Sequence, residues 1–129
     1  MKTLNITAAL KPLTASALLI FSAIASPVFA SCEYIIENQW GTGFTASIKV
    51  TNSGSTPVSS WTVGWQYTAN KMTSSWNATV SGSNPYSATS LNWNGSLQPG
   101  QSTSFGIQGD TVSGAAEKPA VTGSLCSAV

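Results

Sequence analysis

Along much of the chain, apolar and polar residues alternate with a period of two. Phe44, Ala46, Ile48 and Val50 fall on one side and Thr45, Ser47, Lys49 and Thr51 on the other, the signature of a half-buried β-strand. Val58 to Tyr67 repeats the pattern with larger residues. Trp61, Val63, Trp65 and Tyr67 share a face opposite Thr62, Gly64 and Gln66, which assigns both tryptophans to the core. Cys32, Tyr34 and Ile36 alternate in a first strand over Ser31 to Asn38, and Thr103, Phe105 and Ile107 in a late one. Further strands are predicted over Met72 to Val80, Tyr86 to Trp93 and Ala120 to Cys126. Asn52-Ser53-Gly54-Ser55, Asn94-Gly95 and Gln98-Pro99-Gly100-Gln101 read as turns. No stretch carries a helical period. Many short strands between Gly/Asn/Pro turns predict an all-β fold: an antiparallel β-sandwich of immunoglobulin-like or jelly-roll type.

Three tryptophans resist the pattern. Trp76 and Trp93, each followed by asparagine, lie in the stretch SSWNATVSGSNPYSATSLNWNGS, among Ser, Thr, Asn and Gly. Parity with Val80 and Leu91 would bury them, and parity with Phe44 would bury Trp40. Their polar company, and the difficulty of burying all five tryptophans in one small core, argue the other way. For Trp40, Gly41 and Gly43 offer a place to change register. Period-two counting leaves the exposure of the three undecided. If exposed, they form a candidate aromatic surface, because exposed indoles are costly unless they meet a ligand or partner.

Composition narrows what such a surface can meet. The 129 residues suffice for one domain. Residues 1–30 read as a secretory signal peptide, with Lys2 and Lys11 ahead of the apolar run Leu13 to Phe29 and Val28-Phe29-Ala30 as the cleavage pattern. A retained anchor, or acylation of Cys32, are the competing readings. Cleavage after Ala30 leaves a module of residues 31–129, secreted and extracellular, with no membrane attachment and expected as a monomer. Lys49, Lys71 and Lys118 then stand against Glu33, Glu37, Asp110 and Glu117, a net charge of −1 with no arginine or histidine. That excludes the basic footprint of a nucleic-acid binder. Cys32 and Cys126 sit near the two ends of the module, so in an exported protein they pair as one disulfide closing the domain. For a loop of this length the chain-entropy model gives roughly 4–5 kcal/mol. Two cysteines without histidine complete no zinc shell, and neither a metal nor a cofactor is expected.

Several motifs occur together: Gln39-Trp40-Gly41-Thr42-Gly43-Phe44-Thr45, Trp61-Thr62-Val63-Gly64-Trp65, Ser75-Trp76-Asn77-Ala78, Trp93-Asn94-Gly95-Ser96, Pro99-Gly100 and Phe105-Gly106, with cysteines at both ends. In this order they resemble a family 2 carbohydrate-binding module of bacterial type, and the resemblance covers essentially all of residues 31–129. It implies a disulfide-closed β-sandwich that binds cellulose, or xylan in one subgroup, commonly as an appendage of secreted glycoside hydrolases. It also implies that Trp40, Trp76 and Trp93 are exposed and coplanar while Trp61 and Trp65 belong to the scaffold. The xylan-binding subgroup carries arginine at the position of Gly43 and lacks the tryptophan matching Trp76, so both residues favour cellulose; xylan and chitin remain the alternatives.

An indole stacked on the apolar face of a pyranose buries apolar area on both partners. A flat strip of them suits the surface of a β-1,4-glycan crystal better than a cleft would. Asn38, Asn77 and Gln108 are candidates to hydrogen-bond sugar hydroxyls at the rim; Asn94 is another, although its place before Gly95 favours a turn. Glycosidase chemistry needs two carboxylates flanking the bond. Glu33, Glu37, Asp110 and Glu117 read instead as solvated surface charges, and without histidine no Ser-His-Asp triad or histidine-held copper is available. No catalytic residue is therefore assigned. Asn77-Ala78-Thr79 and Asn94-Gly95-Ser96 both match the N-glycosylation pattern, beside proposed binding tryptophans.

Overall fold

The computed structural model describes residues 31–112 and 114–126. The predicted signal peptide, residues 1–30, lies outside them. The alternating stretches form strands β1 (Cys32–Trp40), β2 (Gly43–Thr51), β3 (Thr62–Trp65), β4 (Lys71–Trp76), β5 (Thr79–Gly82), β6 (Tyr86–Thr89), β7 (Ser102–Asp110) and β8 (Thr122–Gly123). They make two four-stranded sheets, in the orders β1-β2-β7-β4 and β5-β6-β3-β8. Every pairing is antiparallel.

The inward residues of both sheets fill one core. Tyr34, Phe44, Ala46, Ile48, Val50, Phe105 and Ile107 come from the first sheet, and Val63, Trp65, Tyr86 and Ala88 from the second. Trp61 and Trp65 are 2% and 3% exposed, as their shared face predicts. Trp61 stacks on Phe105 with centroids 5.4 Å apart, and Trp65 stacks on Tyr86 at 5.7 Å. Where two tyrosines meet in the core, the Tyr34 and Tyr67 hydroxyls share a 2.7 Å hydrogen bond. Desolvation pushes the Tyr67 phenol up to about 12.

Cys32 and Cys126 form the disulfide, with Cα atoms 4.8 Å apart across 94 positions of sequence. Cys32 is thereby paired with Cys126, as its place near one end of the module predicts. The segment before β8 is fastened by Glu117. Its carboxylate accepts the backbone N–H groups of Thr68, Ala69 and Asn70 at 2.7–2.8 Å, and the Glu117 N–H donates in return to the side-chain oxygen of Asn70.

Four predicted strands differ in extent. Val58 to Tyr67 is a strand only over Thr62–Trp65, Val58 making an isolated bridge to Leu97. The last strand shortens to Thr122–Gly123. Met72 to Val80 is not one strand: it divides into β4 and β5, which belong to different sheets. The break falls at Asn77, whose φ of 68° is the left-handed conformation that asparagine tolerates better than most residues. Tyr86 to Trp93 ends at Thr89, and Trp93 lies in a turn.

Candidate functional site

Trp40 and Trp76 reach the outer face of the first sheet by the same device. In β1, Ile36 pairs with Ala46 and Asn38 with Thr45, so Glu37 is an extra residue with no partner of its own. Before it, Cys32 and Tyr34 face the core; beyond it the parity inverts, and Asn38 and Trp40 face outward. In β4 the slip falls between Met72 and Ser74, and Thr73 is the extra residue. Trp76 thereby leaves the core-facing parity of Met72. Each extra residue stands three positions before its tryptophan. The register of Trp40 is therefore not changed at Gly41 and Gly43, as the sequence suggested; the change is upstream, and Gly41 sits in the hairpin turn.

Glycine then lays each indole down. Trp40 pairs across the ladder with Gly43, and a Cβ there would stand 2.8 Å from its ring. Trp76 pairs with Gly106, where a Cβ would run into the ring outright. Each indole covers bare backbone with one face and leaves the other to solvent, so the residues are 41% and 45% exposed. A side chain at either glycine would force the ring up or aside.

Trp93 is held differently. It is 65% exposed in its turn, which is organised by the following residue. Asn94 is buried. Its Oδ1 accepts the Leu91 N–H at 2.8 Å, its Nδ2 donates to the Asn77 carbonyl at 2.7 Å, and its own carbonyl accepts Trp61 Nε1–H at 2.8 Å. One asparagine thus ties the Trp93 turn to the residue after Trp76 and to a core tryptophan. Asn94 holds the turn rather than the rim, and its amide nitrogen is occupied in the fold, so of the two sequons only Asn77 presents an exposed side chain.

The ladder sets the spacing of Trp40 and Trp76 and ends beside the Trp93 turn. Trp40 lies over Gly43. Four residues along β2, Ser47 pairs with Gly106, under Trp76. Four further, Thr51 pairs with Ser102, which shares a shallow depression with Trp93. Each step is on the order of 13 Å. Polar rows lie between. Asn38, Thr45, Gln108 and Ser74 form one row across all four strands, and Lys49 and Ser104 belong to the next. Asn38 and Gln108 are thus brought into the space between Trp40 and Trp76, although Asn38 Oδ1 is already engaged by the Gln39 N–H at 2.9 Å. Asn77 is exposed immediately beyond Trp76.

Sequence reasoning missed three polar members of this face. Glu37, Ser47 and Ser104 line a depression with Trp76, Asn77 and Gly106. Ser47 carries the signal of parity with Lys49 on β2 and Ser104 that of the polar alternation in β7, while Glu37, the extra residue of its strand, reads only as a solvated charge. Charge on the face is otherwise arranged in cross-strand neighbours of opposite sign, Glu33 with Lys49 and Lys71 with Asp110. The arrangement can stack apolar ring faces on indoles and engage hydroxyl groups between them. Among the described residues there is no cluster of His, Cys, Asp or Glu able to hold a metal.

Residues 30–126 match the model of a protein family described as a cellulose binding domain. Endoglucanase C of Cellvibrio japonicus is 53% identical over 110 residues, covering 85% of this chain and 14% of that protein. Endo-1,4-beta-xylanase A of the same organism is 52% identical over 124 residues, covering 94% of this chain and 20% of that protein. The chain therefore spans about a fifth or less of the length of these relatives. The solution structure of the chitin-binding domain of Chi18aC from Streptomyces coelicolor superposes with a TM-score of 0.58 at 41% identity, covering 73% of this chain and 90% of that one.

Proposed function

The chain belongs to the family of cellulose binding domains, a carbohydrate-binding and not a catalytic family, and from that premise we propose that it binds the surface of crystalline cellulose. Trp40, Trp76 and Trp93 stack on sugar rings, and Asn38, Asn77 and Gln108 meet hydroxyls beside them. The observation that carries this reading is the pair of glycines, Gly43 and Gly106, that hold Trp40 and Trp76 flat against one sheet face. A ring lying on backbone presents a plane to an equally planar β-1,4-glycan. With on the order of 150–250 Å² per tryptophan, three make a patch of the size that marks an interaction site. The protein acts outside the cell as a monomer, bringing itself or an attached polysaccharide-degrading enzyme to plant cell wall. Chitin is the second reading, favoured by the 41% identity to a chitin-binding domain.

The test is depletion from solution by microcrystalline cellulose, insoluble xylan and chitin, with released reducing sugar measured in parallel. Strongest retention on cellulose without sugar release is expected. Trp40→Ala, Trp76→Ala and Trp93→Ala should each weaken it roughly tenfold or more with melting unchanged. Tighter retention on chitin or xylan overturns the substrate, and sugar release overturns the non-catalytic reading. Unchanged binding by Trp76→Ala overturns the face.

A further inference from the structure

Glu37 stands apart from the other charges of the first sheet. As the extra residue of the β1 bulge it is released from the ladder, and bulges commonly re-aim a side chain beside a site. Its Oε2 accepts the Ser47 hydroxyl at 2.7 Å. Ser47 is in turn the cross-strand partner of Gly106, the residue beneath Trp76. The carboxylate and the second indole therefore flank the same row of the sheet. Glu37, Ser47 and Ser104 border two adjoining depressions, one shared with Trp76 and Asn77 and the other with Lys49 and Ser102.

We propose that Glu37, oriented by Ser47, is a lateral subsite that accepts a hydroxyl hydrogen from the sugar seated on Trp76. The proposal rests on the cellulose-surface reading above and adds to it a residue that the stacking strip does not require. The chemistry fits in three respects. A carboxylate accepts about four hydrogen bonds, so the bond from Ser47 leaves capacity for more. Bonds from O–H to a carboxylate are shorter and stronger than those between neutral groups, and the other polar groups that border the depression beside Trp76, from Thr45, Ser47, Asn77 and Ser104, are hydroxyls and an amide. Ser47 fixes the side chain before ligand arrives, which lowers the cost of ordering it on binding. The carboxylate leans from β1 toward β2, one strand spacing or about 5 Å from the strand under Trp76. That is beside the indole, where the equatorial edge of a stacked pyranose projects, and not above it. Lys49, the nearest cation along the same face, is the cross-strand neighbour of Glu33.

The experiment compares binding isotherms on microcrystalline cellulose for the intact chain, Glu37→Gln, Glu37→Ala, Trp76→Ala and Glu117→Gln. Glu117→Gln makes the same charge change on the segment that precedes β8, where the carboxylate is held by the backbone of Thr68, Ala69 and Asn70 and borders neither depression. Glu37→Gln and Glu37→Ala are expected to weaken binding about five- to tenfold, with unfolding curves superimposable on the parent and Glu117→Gln binding as the parent does. If Glu37→Gln and Glu37→Ala bind as the parent does while Trp76→Ala has lost binding, the subsite is refuted and the aromatic strip stands. If Trp76→Ala also binds normally, the strip itself is wrong. Repeating the series on chitin separates the donors: a loss found on chitin alone would place an acetamide N–H, not a hydroxyl, against Glu37 and overturn the assignment.

Discussion

Trp65 and Trp76 both end strands, yet they have opposite fates. Trp65 ends β3, an uninterrupted run in which period two holds, and it packs between Tyr86 and Phe105. Trp76 ends β4, where one extra residue, Thr73, reverses which face the following side chains occupy. Neither outcome depends on the indole. The difference lies in the backbone three positions earlier, and in whether the facing strand offers a tyrosine to stack on, as Tyr86 does for Trp65, or a glycine to lie upon, as Gly106 does for Trp76. Trp65 and Trp76 are distinguished by their neighbours across the ladder, not by their neighbours in sequence.

Disturbing each side of that contrast should give separable results. Trp61→Ala removes a core indole stacked on Phe105 and deletes the donor to Asn94, so a loss of about 3–5 kcal/mol in denaturant unfolding is expected. Asn94→Ala leaves the Leu91 N–H and the Asn77 carbonyl without their side-chain partner. A loss of about 2–3 kcal/mol is expected, with weaker cellulose binding because Trp76 and Trp93 are no longer fastened together. Gly106→Ala sharpens the comparison most, because it leaves every residue proposed to meet the ligand unsubstituted. The added methyl needs the space occupied by the Trp76 ring, so binding should fall about tenfold, with a shift in tryptophan fluorescence and stability within about 1 kcal/mol of the parent. Unaltered fluorescence and binding would show that the ring does not depend on the bare glycine.

The smallest effect is expected at Glu117. Partial burial raises the pKa of this carboxyl, but the N–H groups of Thr68, Asn70 and Ala69 outweigh it, and the pKa ends below the ordinary carboxylate value. A folded-state pKa below the unfolded one contributes stability that is present above the unfolded pKa, roughly 4.3 for glutamate, and is lost as pH falls through the folded value. Melting temperature should therefore drop in acid. Glu117→Gln should lower it at neutral pH and flatten the acid limb, seen in thermal melts between pH 7 and 3.

The core faces, the sandwich and the disulfide were legible because alternation and cysteine placement carry them directly. The tryptophan face was legible only by resemblance, and the reason is physical. A bulge needs one additional residue and no particular residue type, so Glu37 and Thr73 look like any polar strand position. The break of Met72 to Val80 had a visible sign in Asn77, an asparagine able to take positive φ. The glycine platform had one too. Gly106 interrupts the alternating run of β7, and a glycine inside a strand often marks close approach by another group. That signal would have linked Gly106 to a large neighbour, though not to Trp76 in particular, since cross-strand pairing is not written in sequence.

Because Trp40 and Trp76 are keyed to backbone positions on two paired strands, the gap between them is not continuously adjustable. Sliding one anchor along the sheet by a single residue would turn it to the opposite face, so the separation can change only in steps of two residues, about 7 Å. The sheet is in effect a ruler with coarse gradations. Fine matching to a different polymer repeat must come from the turn that carries Trp93, where no ladder dictates the interval.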